Sequence, residues 1–348
     1  MANRRASITD LAKALGLSPS TVSRALSDHG EISAATKLRV RQLAQELNYL
    51  PNNLAAALRK GRSNTLGIIM PHINGYYFPA VMNGIEKVAS RAGFKVMMCQ
   101  SNEDLNREKQ NIETLLAAQV EGILISISAS TYGETAHFEQ VRQQGTPLVF
   151  FDRVPDLPNS TAVILDDKQG AYQAVKHLVE QGCRRIAHFA GPQHLNTSRN
   201  RYQGYREALL AHDLPYDEAL VFTLPSLTRD AGRTGMAQLL ELDTLPDGVF
   251  TAYAFPVVGA LEVLHERGIR VPQDIALACF SNEPFTTMTQ PRLTAVDQRA
   301  EQMGETAVRL LLQLLKRTPQ YTPPHILLKP ELIIRESSQH RAQLVTSP

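Results

Sequence analysis

The chain has 348 residues, 43% of them apolar and 20% charged, and a formal net charge of +2. Those values exclude a disordered or collagen-like chain and leave room for more than one domain. No apolar stretch reaches the roughly 20 residues that span a bilayer, and Met1 to Arg5 lead on with no signal-like apolar run, so a cytoplasmic protein without membrane contact is expected.

The first elements are short helices. Leu11, Ala14 and Leu15 share a face at helical spacing, and Gly16 ends that helix because it adopts positive φ cheaply. Ser18 can cap a second helix, with Pro19 at the first helical position, where its missing N–H costs nothing. Two helices joined by a tight Gly turn make a helix-turn-helix, whose second helix enters the major groove of DNA. Ser20, Thr21 and Arg24 would face bases or phosphates, while Val22, Ala25 and Leu26 hold the helix to its neighbours. Arg24 is the best candidate for base readout, since its fork can bond guanine bidentately. Ser33-Ala34-Ala35-Thr36 opens a third helix whose N-terminus suits a phosphate. Through Arg62 there are ten Lys/Arg against four Asp/Glu, a net +6, which leaves −4 for the rest. A basic head on a mildly acidic body suits nucleic acid.

After Asn52, the run Asn53 to Gly61 is alanine-rich and favours a helix too short to be stable alone. Leu54 and Leu58 share one face of it. From Thr65 onward, short apolar runs alternate with helix-length amphipathic segments. Strands are expected at Leu66–Met70, Lys95–Gln100, Gly122–Ser128 and Pro147–Asp152, with helices at Val81–Ala92 and Glu108–Ala118. The pattern resumes at Ala162–Leu165, Arg185–Ala190, Gly248–Tyr253 and Ile275–Phe280. Such β-α units imply an α/β class with doubly wound parallel sheets, which bind ligands outside the carboxyl ends of their strands. So long a body fits two lobes better than one sheet. Cys99, Cys183 and Cys279 are odd in number and widely spaced, and read as reduced core residues; no metal or cofactor is expected. Leu66–Met70 leads into Pro71-His72-Ile73-Asn74-Gly75-Tyr76 rather than a Gly-rich phosphate loop, and no nucleophile–base–acid set can be assembled. An enzyme is therefore not expected.

Thr21-Val22-Ser23-Arg24-Ala25-Leu26, the run Leu47 to Asn52 and motifs of the body resemble the lactose/galactose repressor (LacI/GalR) family over nearly the whole chain. The resemblance implies a transcriptional regulator, most simply a repressor, that binds a pseudo-palindromic operator in double-stranded DNA as a homodimer. It implies a headpiece at 1–50, a hinge at 51–62, a periplasmic-binding-protein-like body at 63–340 and a tail at 341–348. Lobe 1 would take about 63–164 and 298–325, lobe 2 about 165–297 and 326–340, with crossings near Val163–Asp167, Val296–Gln298 and His325–Leu327. DNA contacts would come from Thr9, Ser18, Ser20, Thr21, Arg24, Ser33, Thr36, Asn52, Ala55, Leu58 and Arg59, with Leu58 wedged into the minor groove. The polar tail lacks the leucine heptads of a tetramer.

A small-molecule effector, a sugar or sugar derivative, would lie between the lobes. Asp152 ends a first-lobe strand and can accept two hydrogen bonds from sugar hydroxyls. Thr197 and Arg201 lie in the stretch resembling the family's Gly-Pro loop and Arg-x-x-Gly. Tyr77 and Phe78 occupy the family's aromatic pair, Ser126 ends the third strand, and Gln298 lies on a crossing. Arg153 adjoins Asp152, and it or Arg201 could hold an acidic group on the ligand. Two departures stand out: Tyr253-Ala254 replaces a common Asn-Asp, and Cys279-Phe280-Ser281-Asn282 replaces a common Gly-Phe-Asp. Both remove second-lobe carboxylates, and they put Tyr253 and Ser281 at the site.

Overall fold

The computed structural model describes residues 6–49, 63–316 and 325–339, which fall into two units divided after Ser63. In the smaller unit, helices α1 (Ile8–Leu15), α2 (Pro19–Leu26) and α3 (Ala34–Glu46) each begin at a serine. Ser7, Ser18 and Ser33 accept the backbone N–H of Asp10, Thr21 and Thr36, satisfying donors that a helix start leaves orphaned. Gly16 ends α1 at φ 66°, in the left-handed region. Leu11, Ala12, Val22, Ala25, Val40 and Ala44 form the core. Ala14, expected on the buried face, is exposed and Ala12 takes its place. The stripe runs Ile8, Leu11, Ala12 and Leu15, the i, i+3, i+4, i+7 set that faces two helices at once. Asn52, Ala55, Leu58 and Arg59, with the hinge and the tail from 340 onward, lie outside the described residues.

The larger unit contains two six-stranded sheets. The first has the order β11 (His325–Leu328), β5 (Ala162–Leu165), β4 (Leu148–Phe151), β3 (Gly122–Ile125), β1 (Thr65–Met70), β2 (Lys95–Gln100), all parallel. The second runs β12 (Glu331–Ile333), β10 (Thr294–Asp297), β9 (Ala276–Phe280), β8 (Gly248–Thr251), β6 (Ile186–Ala190), β7 (Val221–Thr223), with only β12 antiparallel. Central strands such as Ile186–Ala190 and Ala276–Phe280 are buried along their whole length, as parallel strands covered on both faces must be.

In the first lobe the helices are α4 (Tyr77–Arg91), α5 (Leu105–Ala117) and α6 (Ala136–Gln143). The second holds α7 (Asp167–Glu180), α8 (Asn196–Ala211), α9 (Arg229–Leu239) and α10 (Ala254–Glu266). The chain then returns to the first lobe as α11 (Ala300–Leu315), which packs on α4. Crossings between lobes follow Leu165, Asp297 and Leu328. The last falls later than expected, because His325–Leu328 pairs with β5 along its whole length. Helices α4 and α5 begin four and three residues earlier than their periodicity indicates, and β3 stops at Ile125 instead of Ser128. Cys183 and Cys279 are core residues, whereas Cys99 is only half-buried on edge strand β2.

Candidate functional site

Two surfaces gather the expected functional residues. In the smaller unit, the Ser18 hydroxyl lies 2.8 Å from those of Ser20 and Thr21, at the amino end of α2. Arg24, one turn on, is half exposed and pairs with Glu31 at 3.3 Å. At the start of α3, Ser33 and Thr36 hydroxyls lie 2.9 Å apart. Thr9 is exposed on α1, its hydroxyl 2.7 Å from that of Ser7. Hydroxyls and free N–H groups at helix starts, flanked by an arginine, can bind phosphate and base edges.

A cavity of about 610 Å³ separates the two lobes of the larger unit. Its walls are strand ends and the helix starts that follow, where a doubly wound sheet exposes backbone polar groups. Tyr77, Phe78, Asp152, Arg153, Thr197, Arg201, Tyr253, Ser281 and Gln298 all line it. Ser126 does not; it is fully buried beyond β3, and its hydroxyl has no partner among the described residues.

Asp152 stands at φ 60° just past β4 and accepts the Tyr77 phenol at 3.0 Å. It is 6% exposed, and burial holds its carboxyl above the usual range although Arg153 and Arg201 pull the other way. Arg153 pairs with Glu103 at 2.8 Å, so the sequence-adjacent Asp152–Arg153 pair does not form. Arg201 is 1% exposed. Its Nε donates to Asp167 at 2.7 Å and one terminal nitrogen donates to the Ala252 carbonyl at 2.8 Å. The guanidinium lies 3.8 Å from the Phe280 ring centroid and 4.9 Å from that of Tyr253. Burial pushes the Asp167 carboxyl up to about 7, against the pull of Arg201. Tyr253 bonds the Ser198 hydroxyl at 2.8 Å, and Ser281 donates to Gln298 at 2.5 Å from a backbone at φ 85°. Asp152, Ser281 and Glu103 (φ 60°) all stand in the left-handed backbone region on the cavity wall.

His72, Asn74, Glu103, Phe255 and Glu283 also line the cavity and were missed in the sequence. Glu103 and Glu283 each follow a strand end by three residues, a signal that strand-end logic could have used. Glu283 puts a carboxylate on the second-lobe wall just beyond Ser281. Neither Arg153 nor Arg201 is free to hold an acidic ligand group, because both already hold protein carboxylates.

The lobes also touch directly. Asn196 of the second lobe donates to the Asp152 carbonyl and accepts from the Val154 N–H, both at 3.1 Å. His194 lies 2.7 Å from the Ala129 carbonyl. Glu283 accepts the Tyr76 N–H at 2.9 Å, filling the N-cap role at α4, where no local side chain does. Among the described residues, no helix is long and apolar enough to cross a membrane.

Residues 7–52 match the family described as bacterial regulatory proteins, lacI family, and residues 175–338 match the periplasmic binding protein-like domain. The chain is 30% identical to the ribose operon repressor of Halalkalibacterium halodurans, over 95% of this chain and 97% of that one. It also resembles the solved transcriptional regulator CelR–cellobiose complex, with 29% identity and a TM-score of 0.73 over 96% of this chain and 100% of that one. The lac repressor dimer bound to operator and the anti-inducer ONPF gives 25% identity and a TM-score of 0.85, over 96% and 99% of the two chains.

Proposed function

Because the chain belongs to the lacI family of bacterial regulatory proteins, and so to DNA-binding transcriptional regulators rather than enzymes, we propose that it represses transcription as a homodimer on a pseudo-palindromic operator. Two headpieces reading two half-sites multiply a contact that one makes too weakly. In this reading Thr9, Ser18, Ser20, Thr21, Ser33 and Thr36 position the headpiece on phosphates and Arg24 reads a base; Asn52, Ala55, Leu58 and Arg59 complete the contact from the hinge. The effector is a sugar or sugar derivative held between the lobes, and its binding alters the angle between them and hence the operator affinity. The carrying observation is the interlobe cavity, with Asp152, Tyr77, Tyr253 and Arg201 converging on it. Similarity to a ribose operon repressor and to a regulator solved with cellobiose supports a carbohydrate.

Selection of bound sequences from random duplex DNA by the full-length protein tests the reading. A two-fold symmetric site, bound by a dimer and weakened by Arg24→Ala at one base position per half-site, is the expected outcome. Weak, salt-sensitive, sequence-indifferent binding would overturn it.

A further inference from the structure

The guanidiniums around the cavity are already engaged. Arg153 holds Glu103 at 2.8 Å, Arg201 holds Asp167 at 2.7 Å, and Arg229 holds Glu262 at 2.7 Å. Two lining carboxylates have no cation within ion-pair distance among the described residues. Asp152, from the first lobe, accepts only the Tyr77 phenol, and Glu283, from the second, accepts backbone N–H groups at Tyr76 and Tyr77. Both are more than nine-tenths buried. A buried carboxylate without a cation is unfavourable, and the cavity carries two, one on each wall.

Burial keeps both carboxyls above the ordinary range. The missing partner is therefore a donor, and a bound ligand can supply it. Hydroxyls of a polyol can donate to Asp152 and Glu283; an ammonium donates and brings the absent charge as well. The rings of Tyr77, Phe78, Tyr253 and Phe255 offer apolar faces for the carbon skeleton. A phosphate or carboxylate would instead meet two carboxylates and no unpaired guanidinium.

We propose that the ligand of this cavity is a polyhydroxy compound without negative charge, and that a protonated amine on it is favoured over the matching hydroxyl. This rests on the reading of the cavity as the effector site. It makes Asp152 and Glu283 the residues that select ligand charge, with Arg153 and Arg201 serving as donors already neutralised by their own carboxylates.

The test uses the full-length chain and matched probes: glucose, galactose, ribose and cellobiose, with glucosamine, galactosamine, glucuronate, glucose 6-phosphate and ribose 5-phosphate. Thermal midpoints screen them and calorimetry measures the binders. Binding is expected only among neutral and amine probes, with an amine about tenfold tighter than its neutral parent, and Asp152→Asn should abolish that preference. Without any probe, Asp152→Asn should raise the melting midpoint at pH 8, because it removes a buried charge whose desolvation outweighs the pull of Arg153 and Arg201. A fall in that midpoint would show the carboxylate to be compensated and overturn the proposal. An amine that binds no tighter than its parent would overturn the amine preference. An anionic probe that binds at least as well as its parent, and is lost in Thr197→Trp, would overturn the charge selection while leaving the cavity an effector site. No binding by any probe, with operator affinity unmoved by all of them, would overturn the effector reading itself.

Discussion

His188 shows how much one buried side chain can decide. It lies in β6 with no exposed surface, its ring stacked near Tyr205 and Phe250 at centroid distances of 4.9 and 5.2 Å. Nδ1 lies 3.1 Å from the Phe250 carbonyl, which assigns the proton to Nδ1, and Nε2 has no partner among the described residues. Burial holds the imidazole down at about 4, against an ordinary 6.5. Above pH 6.5 the ring is neutral in both the folded and unfolded chain and costs nothing. Between 6.5 and 4 only the unfolded chain takes up the proton, so stability falls with pH, by roughly 3 kcal/mol at full extent. Urea unfolding at pH 7 and pH 5 is expected to show about 2 kcal/mol of that loss, and His188→Phe should flatten it. A variant profile parallel to the wild type would assign the acid loss to other groups. At this scale the candidate site was partly legible: Asp152 and Arg201 sit where strand ends and loop motifs place ligand groups. Arg201 nonetheless has its own carboxylate, and no local pattern pairs residues 34 positions apart.

At the scale of elements, caps and close packing matter most. Ser18→Ala removes the cap of α2, which is worth about 1 kcal/mol, so amide exchange in that helix should speed up about fivefold. Unchanged exchange would mean that packing alone holds the helix. Helices α4 and α11 approach so closely that a Cβ on Gly304 would run into the carbonyl of Val81, and one on Gly84 into that of Glu301. A Gly-to-Ala change inside a helix normally gains up to about 1 kcal/mol, whereas overpacking costs about 1–3 kcal/mol. The second effect should win here, so Gly304→Ala is expected to lower the melting midpoint of the body; a rise would show that the helices can separate freely. Most strands were legible because strands buried on both faces read as continuous apolar runs. The three-residue β7 and β12 leave too little pattern. Helix α4 begins at Tyr77, ahead of its periodic residues, and Glu283 caps it from the other lobe, 207 residues away.

At the scale of the whole molecule, the larger unit is two sheets joined by three crossings, with polar contacts across the gap between them. Asn196 holds both the carbonyl of Asp152 and the N–H of Val154 with one amide, so it tests whether closure limits ligand binding. Asn196→Ala removes both hydrogen bonds and should shift the lobes toward an open arrangement. At about 1 kcal/mol for each bond, ligand affinity should weaken on the order of tenfold or more. Small-angle scattering of the variant should show a larger radius of gyration, and an unchanged radius and affinity would place the control of closure elsewhere. Lobe architecture was legible in outline, since alternating β-α units of this total length require two sheets. The third crossing was misplaced by a few residues because β11 looks alike whichever sheet it joins.

What the sequence determined by itself is local: serine caps and a glycine turn that make a helix-turn-helix, a basic head on an acidic body, and apolar runs that become parallel strands. These depend on residues within a turn or a strand of one another, so they survive without knowledge of the fold. The tertiary structure alone decided which carboxylate meets which arginine, leaving Asp152 and Glu283 without a cation. It also carried Ser126 out of the cavity and brought Glu103 and Glu283 into it. Ion pairing and burial depend on distance in space, and at this site the partners lie tens to hundreds of residues apart along the chain.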